Sequence, residues 1–145
     1  MKKILGISFL AVVLFSSCKK DEATPTCTLS ATSILGTYKI TALTTQANAQ
    51  APVVDEYATW DACEKDDLIS FSAGNIFNET EGATSCNPPT SPFSSNWALS
   101  GNILSIVSTG LTFFYPISDF TCNGFKIIIV DSSTGGSMIS TLTKQ

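Results

Sequence analysis

Five acidic side chains, Glu56, Asp61, Glu64, Asp66 and Asp67, crowd one short stretch of this chain and form its densest set of groups able to do chemistry. Two carboxylates flanking a glycosidic bond can hydrolyse it, one as acid and the other as base or nucleophile. Several acidic oxygens in one place also suit calcium, but the spacing lacks the alternate acids and central glycine of a calcium loop. The plainer expectation is that these groups cap turns and solvate the start of a strand. No other set comes closer to catalysis. The chain has no His and no Arg, so a Ser or Cys nucleophile lacks its usual base, and a Lys could serve only from a burial that nothing in the pattern announces. A carboxylate-dependent hydrolase is therefore the outsider. The expectation is a protein that is not an enzyme and works by binding a small apolar ligand, with a cell-envelope or surface adhesion protein of filled core as the alternative.

The cysteines divide by position. Cys18 follows Lys2 and Lys3, an apolar run from Ile4 to Phe15, and the small pair Ser16-Ser17. A basic start, an apolar run too short to span a bilayer and a small-residue exit describe a processed secretory leader. The tetrad Phe15-Ser16-Ser17-Cys18 resembles a lipobox, the recognition site of lipoprotein signal peptidase, with Phe where that site more often has Leu. The resemblance implies a signal peptide over residues 1–17 and acyl chains, palmitate among them, on Cys18. Residues 18–27 are charged and then rich in Thr and Pro, which suits a flexible tether. Lys19 in place of Asp is similar to the sorting pattern that releases lipoproteins to the outer membrane, and Cys18-Lys19-Lys20-Asp21-Glu22 resembles a signal for the cell surface. The expected address is the outer membrane, on its periplasmic face or outside.

Cys27, Cys63, Cys86 and Cys122 would then lie where disulfides persist. Four cysteines allow three pairings. Cys63 with Cys86 is preferred because the two flank a predicted hairpin, which leaves Cys27 with Cys122; the other pairings stay open. A zinc site has neither C-x-x-C spacing nor His in its favour, so no metal or cofactor is expected. Acids outnumber Lys twelve to eight, and an acidic chain without Arg is a poor partner for nucleic acid. The partners expected are a membrane reached through the lipid, a small hydrophobic ligand, and a weak homodimer contact.

The elements that must position these groups are strands. Asp67 to Ala73 alternates, turns at Gly74-Asn75 and continues as Ile76 to Thr80. Ser95 to Leu99 and Ile103 to Val107 meet at Ser100-Gly101-Asn102. Leu111 to Ile117, Phe125 to Val130 and Met138 to Thr143 follow, joined at Asn123-Gly124 and near Gly135-Gly136. With Thr37 to Leu43 at the front there are eight strands in hairpin order. Such a meander loses its edges most simply by closing into an up-and-down antiparallel barrel spanning residues 28–145. The link from Thr44 to Cys63 has no turn grammar and is expected to be a lid or short helix between the first two strands. A second link, Gly82 to Ser94, carries Cys86 and three prolines.

Four places stand out: Ile34-Leu35-Gly36-Thr37-Tyr38-Lys39, Asp61-Ala62-Cys63-Glu64-Lys65-Asp66-Asp67 leading into Ile69 and Phe71, Cys86, and Trp97-Ala98-Leu99-Ser100-Gly101-Asn102. In these the chain resembles the lipocalin-like domain of small bacterial lipoproteins. Tyr38 stands where that family usually has Trp, and keeps a large amphipathic ring. The resemblance implies a barrel or flattened barrel and, since the family has no single activity, says more of fold than of function.

Tyr38, Phe71, Trp97, Phe113, Tyr115 and Phe125 are the aromatics expected to face inward, where they either fill the barrel or line a pocket. A filled core is the commoner outcome at this size, and a cavity for a small hydrophobe is the sharper alternative. Two neighbouring strands are apolar on both faces, so Phe114, Ile128 and Val130 point outward and need a cover. The Thr44 to Cys63 link is expected to supply it, with a dimer contact next.

Overall fold

A computed structural model of the chain describes residues 27–145. The lipobox, Cys18 and the rest of the tether lie outside the described residues. Nine strands run in chain order: β1 (Gly36–Gln46), β2 (Val54–Asp55), β3 (Leu68–Ser72), β4 (Ile76–Thr80), β5 (Phe93–Ser100), β6 (Ile103–Ser108), β7 (Leu111–Thr121), β8 (Gly124–Asp131) and β9 (Gly136–Lys144). All pair antiparallel with their sequence neighbours except that the two-residue β2 pairs with β1 alone, and β3 takes its place against the other stretch of that β1 edge. The barrel closes where β1 meets β9, from Tyr38 opposite Lys144 to Gln46 opposite Ser137. Eight strands thus form the wall, and each expected strand falls within an observed one or overlaps it closely.

Local chemistry explains the punctuation. Gly74 and Asn75 both hold positive φ, 81° and 63°, the geometry that a tight hairpin between twisted strands requires. At the start of β8 the Gly124 backbone lies against the Leu142 carbonyl of β9, where a Cβ would collide with it. Only glycine lets these two strands approach so closely.

Strand direction sorts the connections to two ends. The β3–β4, β5–β6 and β7–β8 turns share one end with residues 27–35 and Gln145. Ile34, 0% exposed, plugs that end. The Tyr38 hydroxyl, above it, donates to the Ile34 carbonyl at 2.8 Å, and burial pushes the phenol's pKa up. Its ring meets Phe125 and Phe71 edge-on at 5.2 and 5.8 Å, and Phe71 meets Trp97 at 5.6 Å. Edge-to-face pairs add roughly 0.5–1.5 kcal/mol each beyond their buried area. Leu104, Ile117 and Leu142 complete this packed half. Cys27 is bonded to Cys122 in the β7–β8 turn, which fastens the beginning of the domain to the same end.

The other end carries both long links. Residues 47–67 include β2, a 3-10 turn over Tyr57–Thr59 and a one-turn helix, α1 (Ala62–Lys65). The link does not cover Phe114 and Val130, which are 66% and 62% exposed, while Ile128 is half-buried. The reason is local pairing. β1 outruns β3, and Val54–Asp55 pairs with its free stretch at Thr44–Thr45, away from the β7–β8 side of the barrel. The Cys63–Cys86 bond then draws α1 toward the β4–β5 link. On the uncovered side, the β7–β8 ladder begins at Thr121–Gly124 and runs only to Ile117–Ile127. It stops beside Pro116, which has no N–H to offer.

Candidate functional site

The closed half is filled by rings, and the open half is walled by smaller groups. Ser140 and Met138 on β9, Ile127 and Ile129 on β8 and Ile40 on β1 cannot reach across an eight-stranded barrel as Tyr38 and Phe71 do. A cavity of about 330 Å³ remains above the aromatic floor. Ile69, Phe71, Phe77, Ile106 and Leu142 complete its apolar lining, and the polar groups on it are Glu79, Tyr115 and Ser140. A mostly apolar hollow with a few polar groups is the usual build of a small-molecule site, and this one is near the lower end of the common range of about 300–1,000 Å³.

Above it, the mouth holds two clefts. One, of about 140 Å³, lies among Trp60, Glu64, Asp67, Thr90 and Glu79 with Ile40 and Ile69; the other, of about 180 Å³, lies among Asp67, Glu79, Thr80, Thr90, Ser91 and Phe93. Glu79 borders the cavity and both clefts. It is accessible from the mouth yet crowded by protein, and burial, with the Asp67 charge second, raises its pKa. Burial and then the Glu79 charge raise that of Tyr115. Asp67 is raised by burial, against which the Gly82 N–H donates to its Oδ1 at 3.3 Å; the charges of Glu81, Asp66 and Glu64 push further upward.

No cation answers these acids within the lining. Lys126 pairs with Asp119 at 2.8 Å on the outer wall, Lys144 donates to the Leu35 carbonyl at 2.7 Å, and Lys65 stands 5.3 Å from the centre of the Tyr57 ring. Among the described residues, no group of three or more His, Cys, Asp or Glu side chains is arranged to hold a metal ion.

The acids that suggested hydrolysis hold loops. Glu56 accepts from the Thr45 hydroxyl at 2.7 Å, and Glu64 from the Asp61 N–H at 2.8 Å at the start of α1. Asp66 accepts from the Thr84 N–H at 2.9 Å, pinning the β4–β5 link beside the Asp67–Gly82 bond. Glu81 binds the same link from within, accepting from the N–H groups of Thr90 and Cys86 at 2.8 and 3.2 Å, and these bonds lower its pKa.

Of the aromatics expected inside, Phe71 and Tyr115 line the cavity. Tyr38, Trp97 and Phe125 lie beneath it in the packed floor. Phe113 shares the strand face of Tyr115 but is 43% exposed toward the open end. Glu79 escaped the sequence reading, although a signal existed. In a strand, side chains two apart share a face, so an inward Phe77 carries Glu79 inward with it.

No curated protein matches the chain. The family model described as the lipocalin-like domain matches residues 34–135, from the plug at Ile34 to the β8–β9 turn. That family is in general a binding fold without catalysis, in keeping with a barrel packed at one end and hollow at the other. The match spans most of the barrel wall, and the chain belongs to the lipocalin-like domain family.

Proposed function

We propose that this protein is a lipid-anchored binding protein of the outer membrane that takes up a small apolar ligand in the open half of its barrel. The carrying observation is the cavity of about 330 Å³, whose walls are mostly isoleucine, phenylalanine, leucine and methionine. Apolar surface facing water is costly at roughly 25 cal/mol per Å², so an apolar guest gains by replacing that water. The anchor rests on the leader and Cys18. Several acyl chains would be needed for durable attachment, because a single chain holds only marginally.

One preparation tests both halves of this reading. Protein taken from the membrane fraction of its own cell should carry a copurifying small hydrophobe by native mass spectrometry, and its digest should contain an acylated peptide beginning at Cys18. An empty barrel that also takes up no added apolar probe would refute the binding role. A soluble product that retains residues 1–17 would refute the anchor. A second reading, a contact surface for another copy of the chain, is favoured by the exposure of Phe114 and Val130 beside the short β7–β8 ladder.

A further inference from the structure

We infer that the ligand is a short amphiphile with a cationic head, a protonated amine, held at Glu79 while its apolar tail occupies the interior cavity. This rests on the binding reading above and adds the chemical class of the guest.

The position of Glu79 carries the argument. It is the one ionisable carboxylate on the cavity wall, and it also borders both mouth clefts. Its carboxylate makes no hydrogen bond or ion pair among the described residues. Ile40, Ile69 and Ile106 lie along the same cavity. The Glu79 side chain keeps access to solvent at the mouth while standing beside this apolar wall, so the charge is left unpaired where the cavity opens and is free to meet a head group there. Perturbed, unpaired acids in clefts are more common where something binds.

The charges around it choose the head group. The titratable groups toward Glu79 are Asp67 ahead of β3, Glu64 from α1, and Tyr115 from β7. Glu81 and Asp66 stand behind Asp67, whose pKa they raise. No Lys lines the cavity or either cleft at the mouth. A carboxylate or phosphate head would meet only like charge. An alcohol could donate one hydrogen bond but would leave the charge uncompensated. An ammonium brings the missing charge together with three N–H donors, for which the carboxylates of Glu79 and Asp67 and the Tyr115 hydroxyl oxygen are acceptors. Trp60 at the mouth adds an aromatic face, a favourable neighbour for a cation.

Octylamine, octanol and octanoate share one tail length and differ in the head. Each is titrated into the folded full-length protein by calorimetry at about pH 7.5, where an unperturbed carboxylate is ionised. Octylamine should bind roughly tenfold tighter than octanol, and octanoate more weakly than either. The preference should fade at lower pH as Glu79 takes up a proton. Glu79→Gln should bring octylamine and octanol to within about twofold of each other while octanol binding is retained. Equal binding of octylamine and octanol by the unaltered protein, or a preference that survives Glu79→Gln, overturns the cationic class and leaves the apolar cavity standing. Binding of none of the three removes the binding reading itself. The comparison among probes on the unaltered chain decides the matter even if the variant does not fold.

Discussion

Glu79 sets a binding group against stability. Its folded pKa lies above the ordinary 4.5, because burial disfavours the charged form and Asp67 repels it. A raised folded pKa means that the unfolded chain releases this proton more readily. The contribution to stability is therefore present in acid and is lost as pH rises through the folded value. Glu79→Gln removes that loss. Thermal melts should show the variant more stable than the parent at neutral pH, with the gap closing below the ordinary 4.5. A variant less stable at neutral pH would mean that the carboxylate has a favourable partner in the fold. Stability gained where binding is lost is the common exchange at functional sites.

The elements around that residue are held by covalent and hydrogen-bonded ties rather than by their own packing. α1 is one turn long and buries no residue, too short to stand alone in water. The Cys63–Cys86 bond, with Cα atoms 5.2 Å apart, fixes it to the β4–β5 link across the mouth. Replacing both cysteines by Ser should cost about 2–4 kcal/mol in denaturant unfolding. Hydrogen exchange should accelerate over residues 47–67 and 81–92 while the floor around Tyr38 and Trp97 stays protected. Uniform acceleration would mean that the mouth and floor unfold as one unit.

This division also explains what the sequence disclosed. Strands such as Ile76–Thr80 were legible because alternation and turn residues are local properties. The pairing of Cys63 with Cys86 followed from the hairpin between them. The path of the 47–67 link was not legible, since it depends on β1 outrunning β3 and offering Thr44–Thr45 to Val54–Asp55. Nor was the cavity. Whether Ser140 and Met138 leave a void depends on strand tilt and stagger, which no single segment encodes.

At the scale of the whole molecule, the barrel is uneven around its circumference as well as along its axis. On the side away from the link, Phe114 and Val130 stand exposed near β-strand positions without a ladder partner across the seam. Apolar groups beside free strand edges promote self-association. Sedimentation velocity should show a concentration-dependent dimer of the parent that Phe114→Thr weakens, with octanol binding unchanged. A strictly monomeric parent at high concentration would contradict this.

The Cys27–Cys122 bond has a mechanical consequence. It joins residues 95 apart, so tension applied ahead of Cys27 crosses the sulfurs directly to the β7–β8 turn. With the other grip at Gln145, β1 through β7 lie inside a covalent loop that bears no load, and only β8 and β9 are drawn in line. Those two strands are paired with each other along their length, and β9 is also paired with β1. A tug on the leading end would thus open the β8–β9 ladder from Gly124–Thr143, strip β9 from β1 with it, and leave the intervening wall covalently shielded from extension.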